Sequence, residues 1–336
     1  MSTLIIPEET RLSPSVIERI FQNEWTRIWI PKEYHGLEVS LTEGLQMIEQ
    51  LAQEDGSLGW VVTLTSGANY FSRNIKPEVA KRIFTNPRVC FAGSGMISGT
   101  AQKIGDKYIL NGKWLWGTAA PYATHFSFNA QIVENGVPQV NSDGTPVFRS
   151  FFLDKNQVQS YDTWNAFGLI ATATNQFEVR NIEVTDDNLF QYNKSYFDKS
   201  PLDRIPFAVM ADITILANHV GIAKHYLNES LTIRKTYFHD DFTKFLDTKT
   251  ADFYREVTQI EHLLHVNREL SPQFCQKIHD FGVKLVEDIS MYIVKIHPLL
   301  GMRAAMLNEP INKIFRDFFT LTQHIHFRNT QHASAH

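Results

Sequence analysis

The stretch that decides the fold reads NEPINKIFRDFFTLTQH and covers residues 308–324. Successive residues of an α-helix turn by about 100°, so Asp317 and His324 would lie within about 20° of each other, on one stripe with Lys313 and Thr320. A separate apolar stripe consists of Ile311, Ile314, Phe318, Leu321 and Ile325. The pattern predicts a helix that packs on a core and turns its polar side chains toward a cavity or a partner.

Composition excludes several classes of protein. The chain has 336 residues, 43% of them hydrophobic and 20% charged, and a net charge of −4, which does not favour nucleic acid or anionic lipid as a partner. Cys90 and Cys275 are too few for a disulfide framework or a cysteine metal site, so a reducing, cytoplasmic location is expected.

Targeting, membrane and metal signals are weak. Residues 1–11 lack the apolar core of a signal peptide, and the apolar run 207–223 contains Asp212, Asn218 and His219. We expect that run to be a buried helix and not a membrane span. The histidines show no recognisable ligand spacing, so no metal site is predicted.

The residue pattern changes twice along the chain, from helix signals to short alternating runs and then back to helical periodicity. This order predicts an α+β, mostly α, chain. Ser13 before Pro14, and Ser40 with Glu43, are helix-start signals, and Ser57 is expected to cap the helix that follows Gly56. Short alternating runs with Gly, Asn and Asp between them then predict strands near residues 107–116, 124–133, 147–153 and 171–184.

Helical periodicity returns after the predicted strands. The expected helices cover residues 203–237, 251–269, 271–297 and 302–328, and antiparallel packing would make them a four-helix bundle. We therefore predict an N-terminal helical domain (1–88), a middle antiparallel β domain (89–190), a C-terminal four-helix bundle (191–330) and a disordered tail (331–336).

This order of blocks resembles the acyl-CoA dehydrogenase superfamily, and the resemblance extends over nearly the whole chain. The segments that carry it are residues 29–36 (WIPKEYHG), 51–60 (LAQEDGSLGW), 99–101 with 105–118 (GDKYILNGKWLWGT), and 164–168 (WNAFG) with Thr172 and Thr174. The resemblance implies a flavin, FAD or FMN, and association as a homo-tetramer or homo-dimer.

The final predicted helix favours one branch of that superfamily. Met306 stands where the dehydrogenases carry their catalytic Glu, and Met cannot accept a proton. The run from Pro310 to Lys313, followed by Arg316, Asp317 and His324, looks like the pattern of the two-component flavin monooxygenases. That likeness implies reduced flavin from a separate reductase, O2, and an aromatic or other small organic substrate that becomes hydroxylated.

The resemblance also implies roles for particular side chains. His324 would lie by the flavin ring and the substrate as a general base or an orienting group, with Asp317 positioning it or pairing with Arg316. Thr118 would lie near flavin N5, two residues after a flavin-stacking Trp116. The remaining cofactor contacts would be Ser94 and Met96, in a glycine-rich loop between two strands, and Thr172.

Simpler interpretations stand beside these. Trp116 could be a core residue on the same strand face as Trp114, which is expected to be packing, and Asp317 could only fix the helices. Asp212 is a candidate substrate-binding residue, and in an acyl-CoA dehydrogenase it or Glu309 would replace the missing base. Lys313 in place of the branch's usual Arg, and a loose match to the flavin-diphosphate motif at residues 232–238, also allow a non-catalytic, flavin-free binding protein.

Overall fold

The computed structural model describes residues 9–327, so the predicted tail at 331–336 and most of the N-terminal stretch lie outside the described residues. Eight α-helices and eight strands are assigned within this range. The helices are α1 (Pro14–Gln22), α2 (Leu41–Glu54), α3 (Gly56–Asn69), α4 (Pro77–Phe84), α5 (Phe207–Ile233), α6 (His239–His265), α7 (Pro272–Ile296) and α8 (Pro310–Leu321). The strands are β1 (Phe91–Ile104), β2 (Lys107–Gly117), β3 (His125–Glu134), β4 (Val137–Pro138), β5 (Phe148–Asp154), β6 (Gln159–Tyr161), β7 (Asn175–Val184) and β8 (Leu189–Phe190).

The first helices begin where side chains satisfy free backbone N–H groups. The Ser13 hydroxyl accepts from the backbone N–H of Val16, and Ser40 and Glu43 form the expected capping box. The cap of α3, however, is Asp55 and not Ser57, because the Asp55 carboxylate accepts from the N–H of Leu58 while Ser57 is already inside the helix.

The strands form one mixed sheet in the order β6-β7-β2-β1-β3-β5-β8, with β4 paired to β3. Most neighbours are antiparallel, but β1 and β3 run parallel, so the prediction of an antiparallel domain is wrong at this pair. The reason is topological: β2 folds back on one edge of β1, and the chain then crosses to the other edge of β1 before β3 begins.

Two predicted loop and strand boundaries are also wrong. The glycine-rich segment around Ser94 and Met96 is not a loop between strands, since it lies within β1 and is marked by register shifts against β3. The strand expected from residue 171 begins at Asn175, because Leu169 and Ala173 have positive φ angles, 52° and 46°, that strands do not accommodate.

The last helix is shorter than expected. Pro310 lies at its first turn, which prevents extension back to residue 302 because proline lacks the N–H and its ring would clash. After Leu321 the chain turns, with the N–H of His324 donating to the Leu321 carbonyl over 3.0 Å. The apolar stripe is buried from Ile311 to Leu321 but Ile325 is 68% exposed, so His324 and Asp317 do not share a continuous helical stripe.

Helix α5 runs through the core of the helical part. Among the described residues it is the one helix long and apolar enough to cross a membrane, and 83% of its most apolar stretch is buried inside the protein. Asp212, Asn218 and His219 are buried on it, as expected for a core helix with polar positions. The four helices α5 to α8 follow the sheet, and the positions of the domain boundaries remain predictions.

Candidate active site

A chain of buried threonine hydroxyls joins the end of β2 to the segment before β7. The Thr172 hydroxyl donates to the Leu169 carbonyl over 2.8 Å, which leaves its oxygen to accept from Thr174 over 2.8 Å. Because the single hydrogen of Thr174 is then used, Thr174 accepts from Thr118 over 3.0 Å. The hydrogen-bond chain thus leaves the Thr118 oxygen as a free acceptor.

The loop from Trp164 to Thr174 is fastened to α8. The Asp317 carboxylate accepts from the Leu169 N–H over 2.6 Å, and the Arg316 guanidinium donates to the Phe167 carbonyl over 2.9 Å. Only glycine fits at position 168, since a Cβ there would meet the backbone of Arg316. Asp317 therefore holds the loop that carries Thr172.

Asp317 also belongs to an ion-pair network. The Lys313 ammonium lies 2.7 Å from the Asp317 carboxylate and 2.9 Å from that of Asp55. Burial alone would lower the pKa of Lys313, but the two carboxylates raise it overall. Asp317 contacts Lys313, one helical turn away. Among residues 9–327 no direct contact between Asp317 and His324 supports the expectation that Asp317 positions His324.

His324 lies in the turn after α8, packed between two aromatic rings. Its ring meets Trp60 edge to face, with centroids 5.3 Å apart, and lies parallel to His326 at 5.4 Å. Nδ1 is buried and has no hydrogen-bond partner among residues 9–327. Burial lowers the pKa of His324 to about 3, and the neighbouring His326 and His219 act in the same direction, so the imidazole is neutral at pH 7.

Asp212 contacts His326, the ring that lies parallel to His324. Its buried carboxylate lies 3.0 Å from Nδ1 of His326 and 3.2 Å from Nδ1 of His279. His219, two turns further along α5, is fully buried, and burial lowers its pKa to about 4. Asp212 and His324 are thus brought into one cluster through His326, and contact of Asp212 with a substrate stays a prediction.

The two tryptophans of β2 have opposite environments. Trp114 is fully buried and donates from Nε1 to the Asn129 carbonyl over 2.8 Å, which makes it a core residue as expected. Trp116 is 57% exposed, with φ of +68°, where the pairing with β7 shifts register. The expectation that both share one face is wrong, because the irregular backbone reverses the alternation. The neighbouring strand β1 also exposes Met96 and Ile97.

The remaining candidates lie apart from these groups. Glu309 pairs with Arg303 over 2.7 Å at the start of α8, and Met306 is exposed, which gives the dehydrogenase alternative no base at the family position. Two surface cavities, of about 410 and 290 Å³, lie elsewhere, beside Tyr34 and Tyr292. No group of three His, Cys, Asp or Glu side chains within the described range is arranged to hold a metal.

Sequence reasoning placed Lys313 and Asp317 on one stripe, as observed, but missed Trp60 and His326 as neighbours of His324. Trp60 and His324 are far apart in the chain, and nothing in either local pattern indicates that they meet. His326 follows a turn that the helical period did not predict. The proximity of His326 to His324 in sequence was the one available signal.

The chain is similar to known proteins at low identity, and no family model matches it. It is 26% identical to the indole-3-acetate monooxygenase of Pseudomonas putida over 66% of this chain and 55% of that protein. It is 22% identical to the Acinetobacter baumannii indole-3-acetate monooxygenase over 93% of this chain and 83% of that protein. The chain therefore matches little more than half the length of the first of these relatives.

Structural similarity is more extensive. The Streptomyces protein XiaF, solved with FADH2 and glycerol, superimposes with a TM-score of 0.84 at 18% identity, over 95% of this chain and 86% of that one. The chain has the acyl-CoA dehydrogenase-like fold. The relatives also include a flavin-dependent monooxygenase oxygenase subunit, HsaA of Mycobacterium tuberculosis, 23% identical over 57% of this chain and 50% of that protein. The resemblance seen in the sequence is confirmed.

Proposed function

We propose that this protein is the oxygenase component of a two-component monooxygenase, which hydroxylates a small aromatic substrate with reduced flavin and O2. The observation that carries the proposal is the partly buried, neutral His324, whose buried Nδ1 has no partner within residues 9–327. A buried polar atom left without a partner costs free energy, so its retention favours a ligand-binding role. The relatives named above support the same activity.

The side chains near the site fit a flavin. The exposed ring of Trp116 offers a flat apolar surface, the Thr118 oxygen is a free acceptor, and His324 offers a polar nitrogen. An isoalloxazine is flat and apolar on its faces with polar atoms at its edge, which matches this set. When bound, reduced flavin supplies the electrons that activate O2 for transfer of one oxygen atom.

Each protein group then has a proposed task. Trp116, Ser94, Met96 and Thr172 contact the flavin or support its contacts, and Thr118 accepts a hydrogen bond from it. Neutral His324 accepts a hydrogen bond from a substrate hydroxyl or orients the reacting groups, since a nitrogen with a pKa of about 3 is too weak a base to hold a proton at pH 7. The Trp60 ring beside it helps to exclude water. Asp317 holds the loop before β7 in place, and Asp212 contacts the substrate side of the cluster.

The partners and setting follow from the same proposal. A separate flavin reductase supplies FADH2 or reduced FMN, and the enzyme acts in the cytoplasm as a homo-tetramer or homo-dimer. Exposed apolar side chains on and after α7 support self-association. They are Met291, Val294, Met302, Met306 and Leu307.

The test is incorporation of oxygen from ¹⁸O2. The purified chain is mixed with a flavin reductase, NADH, FAD or FMN, and a panel of phenols and indoles that includes indole-3-acetate. We expect flavin-dependent formation of a product that carries one ¹⁸O atom. A panel without any labelled product would overturn the proposal, and failure to bind oxidised or reduced flavin as well would favour the non-catalytic alternative.

A further inference from the structure

The Asp212 carboxylate is the only charged group of α5 that meets two imidazoles among the described residues. Oδ1 lies 3.0 Å from Nδ1 of His326, and Oδ2 lies 3.2 Å from Nδ1 of His279 on α7. A carboxylate can only accept, so each imidazole carries its proton on Nδ1. The carboxylate therefore fixes the tautomer and the direction of the His326 ring.

The His326 ring in turn contacts the ring of His324, which the proposed function places beside the flavin or the substrate. The His324 and His326 rings are parallel within 7°, with centroids 5.4 Å apart, and Trp60 meets the His324 ring edge to face at 5.3 Å. Both histidines follow the last turn of α8, so no helical backbone holds them. The His324 backbone is held by its N–H bond to Leu321, and the direction of the ring is set by the neighbouring rings, because Nδ1 makes no hydrogen bond within residues 9–327.

We infer that Asp212 is a positioning residue for His324, which acts by fixing the His326 ring against which the His324 ring is packed. This inference rests on the proposed function, in which His324 meets the flavin or the substrate. It assigns Asp212 a role that requires no contact with either. The carboxylate determines the direction in which the free nitrogen of His324 points.

The arrangement also determines the charge on His324. Titratable groups reach the cluster from α5, from α7 and from the segment after α8: His219, Asp212, Cys275, His279 and His326. Burial is the larger cause of the low pKa of His324, and the neighbouring His326 and His219 lower it further. Because Asp212 holds His326 beside His324, it contributes to keeping His324 neutral.

The competing explanation is mechanical: the carboxylate only anchors residues 322–327 to the helices. Three variants separate the two explanations. Asp212→Asn removes the charge, and His326→Gln removes the ring that contacts His324, from a side chain that is partly exposed and tolerant of change. His279→Gln is the matched control, since it removes the other partner of Asp212 without contact to His324.

The first measurement needs no flavin. The full chain is labelled at histidine, and the ring signals are followed by NMR against pH. In the parent protein the His324 signal should not titrate between pH 5 and 8. We expect its midpoint to rise by one pH unit or more in Asp212→Asn and in His326→Gln, and to stay in place in His279→Gln. An unmoved His324 midpoint in the first two variants, or an equal rise in all three, would overturn the inference.

The second measurement uses the loaded enzyme with its reductase. Misorientation of a catalytic group lowers kcat more than it changes KM, so we expect kcat to fall about tenfold in Asp212→Asn and His326→Gln but not in His279→Gln. If the NMR shifts occur while the parent forms no hydroxylated product, the proposed function fails and the positioning role stands. If the product forms while His324 is unmoved in the variants, the positioning role fails alone.

Discussion

Asp317, in the body of α8, and His324, in the short segment that follows it, have opposite hydrogen-bonding environments. Within the helix, Asp317 accepts from Leu169 and pairs with Lys313, which also pairs with Asp55. In the segment after the helix, His324 is packed by rings and its Nδ1 has no partner within the described residues. Polar groups with hydrogen-bond partners stabilise the packing of α8 on the rest of the protein. A buried polar atom without a partner lowers stability, and such atoms are typical of functional sites.

The largest expected effect is on stability, from Asp317→Ala. The change leaves the Leu169 N–H without its acceptor, and Lys313 keeps only its ion pair with Asp55. Removal of one member of a buried pair costs about 3 to 5 kcal/mol in the free energy of unfolding, and we expect the lower end, about 3 kcal/mol, because Asp55 remains. Urea denaturation at pH 7 measures this loss.

The control for that variant is Asp317→Asn, which keeps an acceptor for Leu169 and loses only the charge. We expect it to lose about half as much stability as Asp317→Ala, because a hydrogen bond of about 1 kcal/mol or more is retained. Equal losses in the two variants would mean that the loop contact contributes nothing. A loss below 1 kcal/mol in both would remove the contrast between helix and segment.

His324→Gln should show the opposite profile. Hydroxylation should fall by about 100-fold, since misplacement of the reacting groups by about 1 Å can cost that much. The free energy of unfolding should change by less than about 1 kcal/mol, because no hydrogen bond of Nδ1 is lost. Product formation and urea denaturation are measured on the same preparation, with the exposed His262→Gln as the control. A loss of stability as large as that of Asp317→Ala would show that His324 and Asp317 do not differ in their contribution to stability.

The third prediction concerns stability against pH. The pKa of His324 is lowered to about 3 and that of His219 to about 4, below the value of about 6.5 in an unfolded chain. Between the folded and unfolded pKa values, the unfolded chain binds more protons than the folded protein. The stability that is present above pH 6.5 is therefore lost as the pH falls. Each group contributes a slope of up to about 1.4 kcal/mol per pH unit.

Urea midpoints between pH 7 and pH 4.5 test this slope. In the parent protein, the free energy of unfolding should decline as the pH falls. In His324→Gln this decline should be less steep, by the slope that one histidine contributes. In His262→Gln it should match the parent. A parent and a His324→Gln protein with the same slope would show that His324 is not held neutral by burial.

The smallest effect is expected from Lys313→Arg. This change introduces the residue that is usual in the two-component flavin monooxygenases that the chain resembles. An Arg keeps its charge and can reach both Asp317 and Asp55, so both ion pairs survive. The free energy of unfolding should change by less than about 1 kcal/mol, and product formation should be retained. A larger loss in either would mean that the geometry of Lys313 itself is required.

Much of the framework could be predicted from local patterns. Ser13 and the Ser40–Glu43 box marked the starts of α1 and α2 because capping is decided within a few residues. The alternation of residues 107–116 matched β2 almost to its ends. The parallel pairing of β1 with β3 was missed because strand partners are chosen across the sheet, where local alternation carries no direction.

The candidate site was less predictable than the framework. The residues of the last helix were identified from their spacing and resemblance, but the helix ended at Leu321, so Asp317 and His324 took different neighbours. Trp116 was assigned to the wrong face because a register shift with a positive φ reverses the period-two count. Such backbone irregularities depend on the neighbouring strand and leave little trace in the side-chain pattern.

The sequence by itself determined the order of helices and strands, the absence of a strong net charge and the residue types that suggest flavin chemistry. These follow from local hydrogen bonding, periodicity and composition, which act over a few residues at a time. Only the tertiary structure decided that Asp317 supports a loop, that His324 packs between Trp60 and His326, and that Asp212 reaches His326. Those contacts join residues more than a hundred positions apart or beyond a helix end, and packing of the whole chain brings them together.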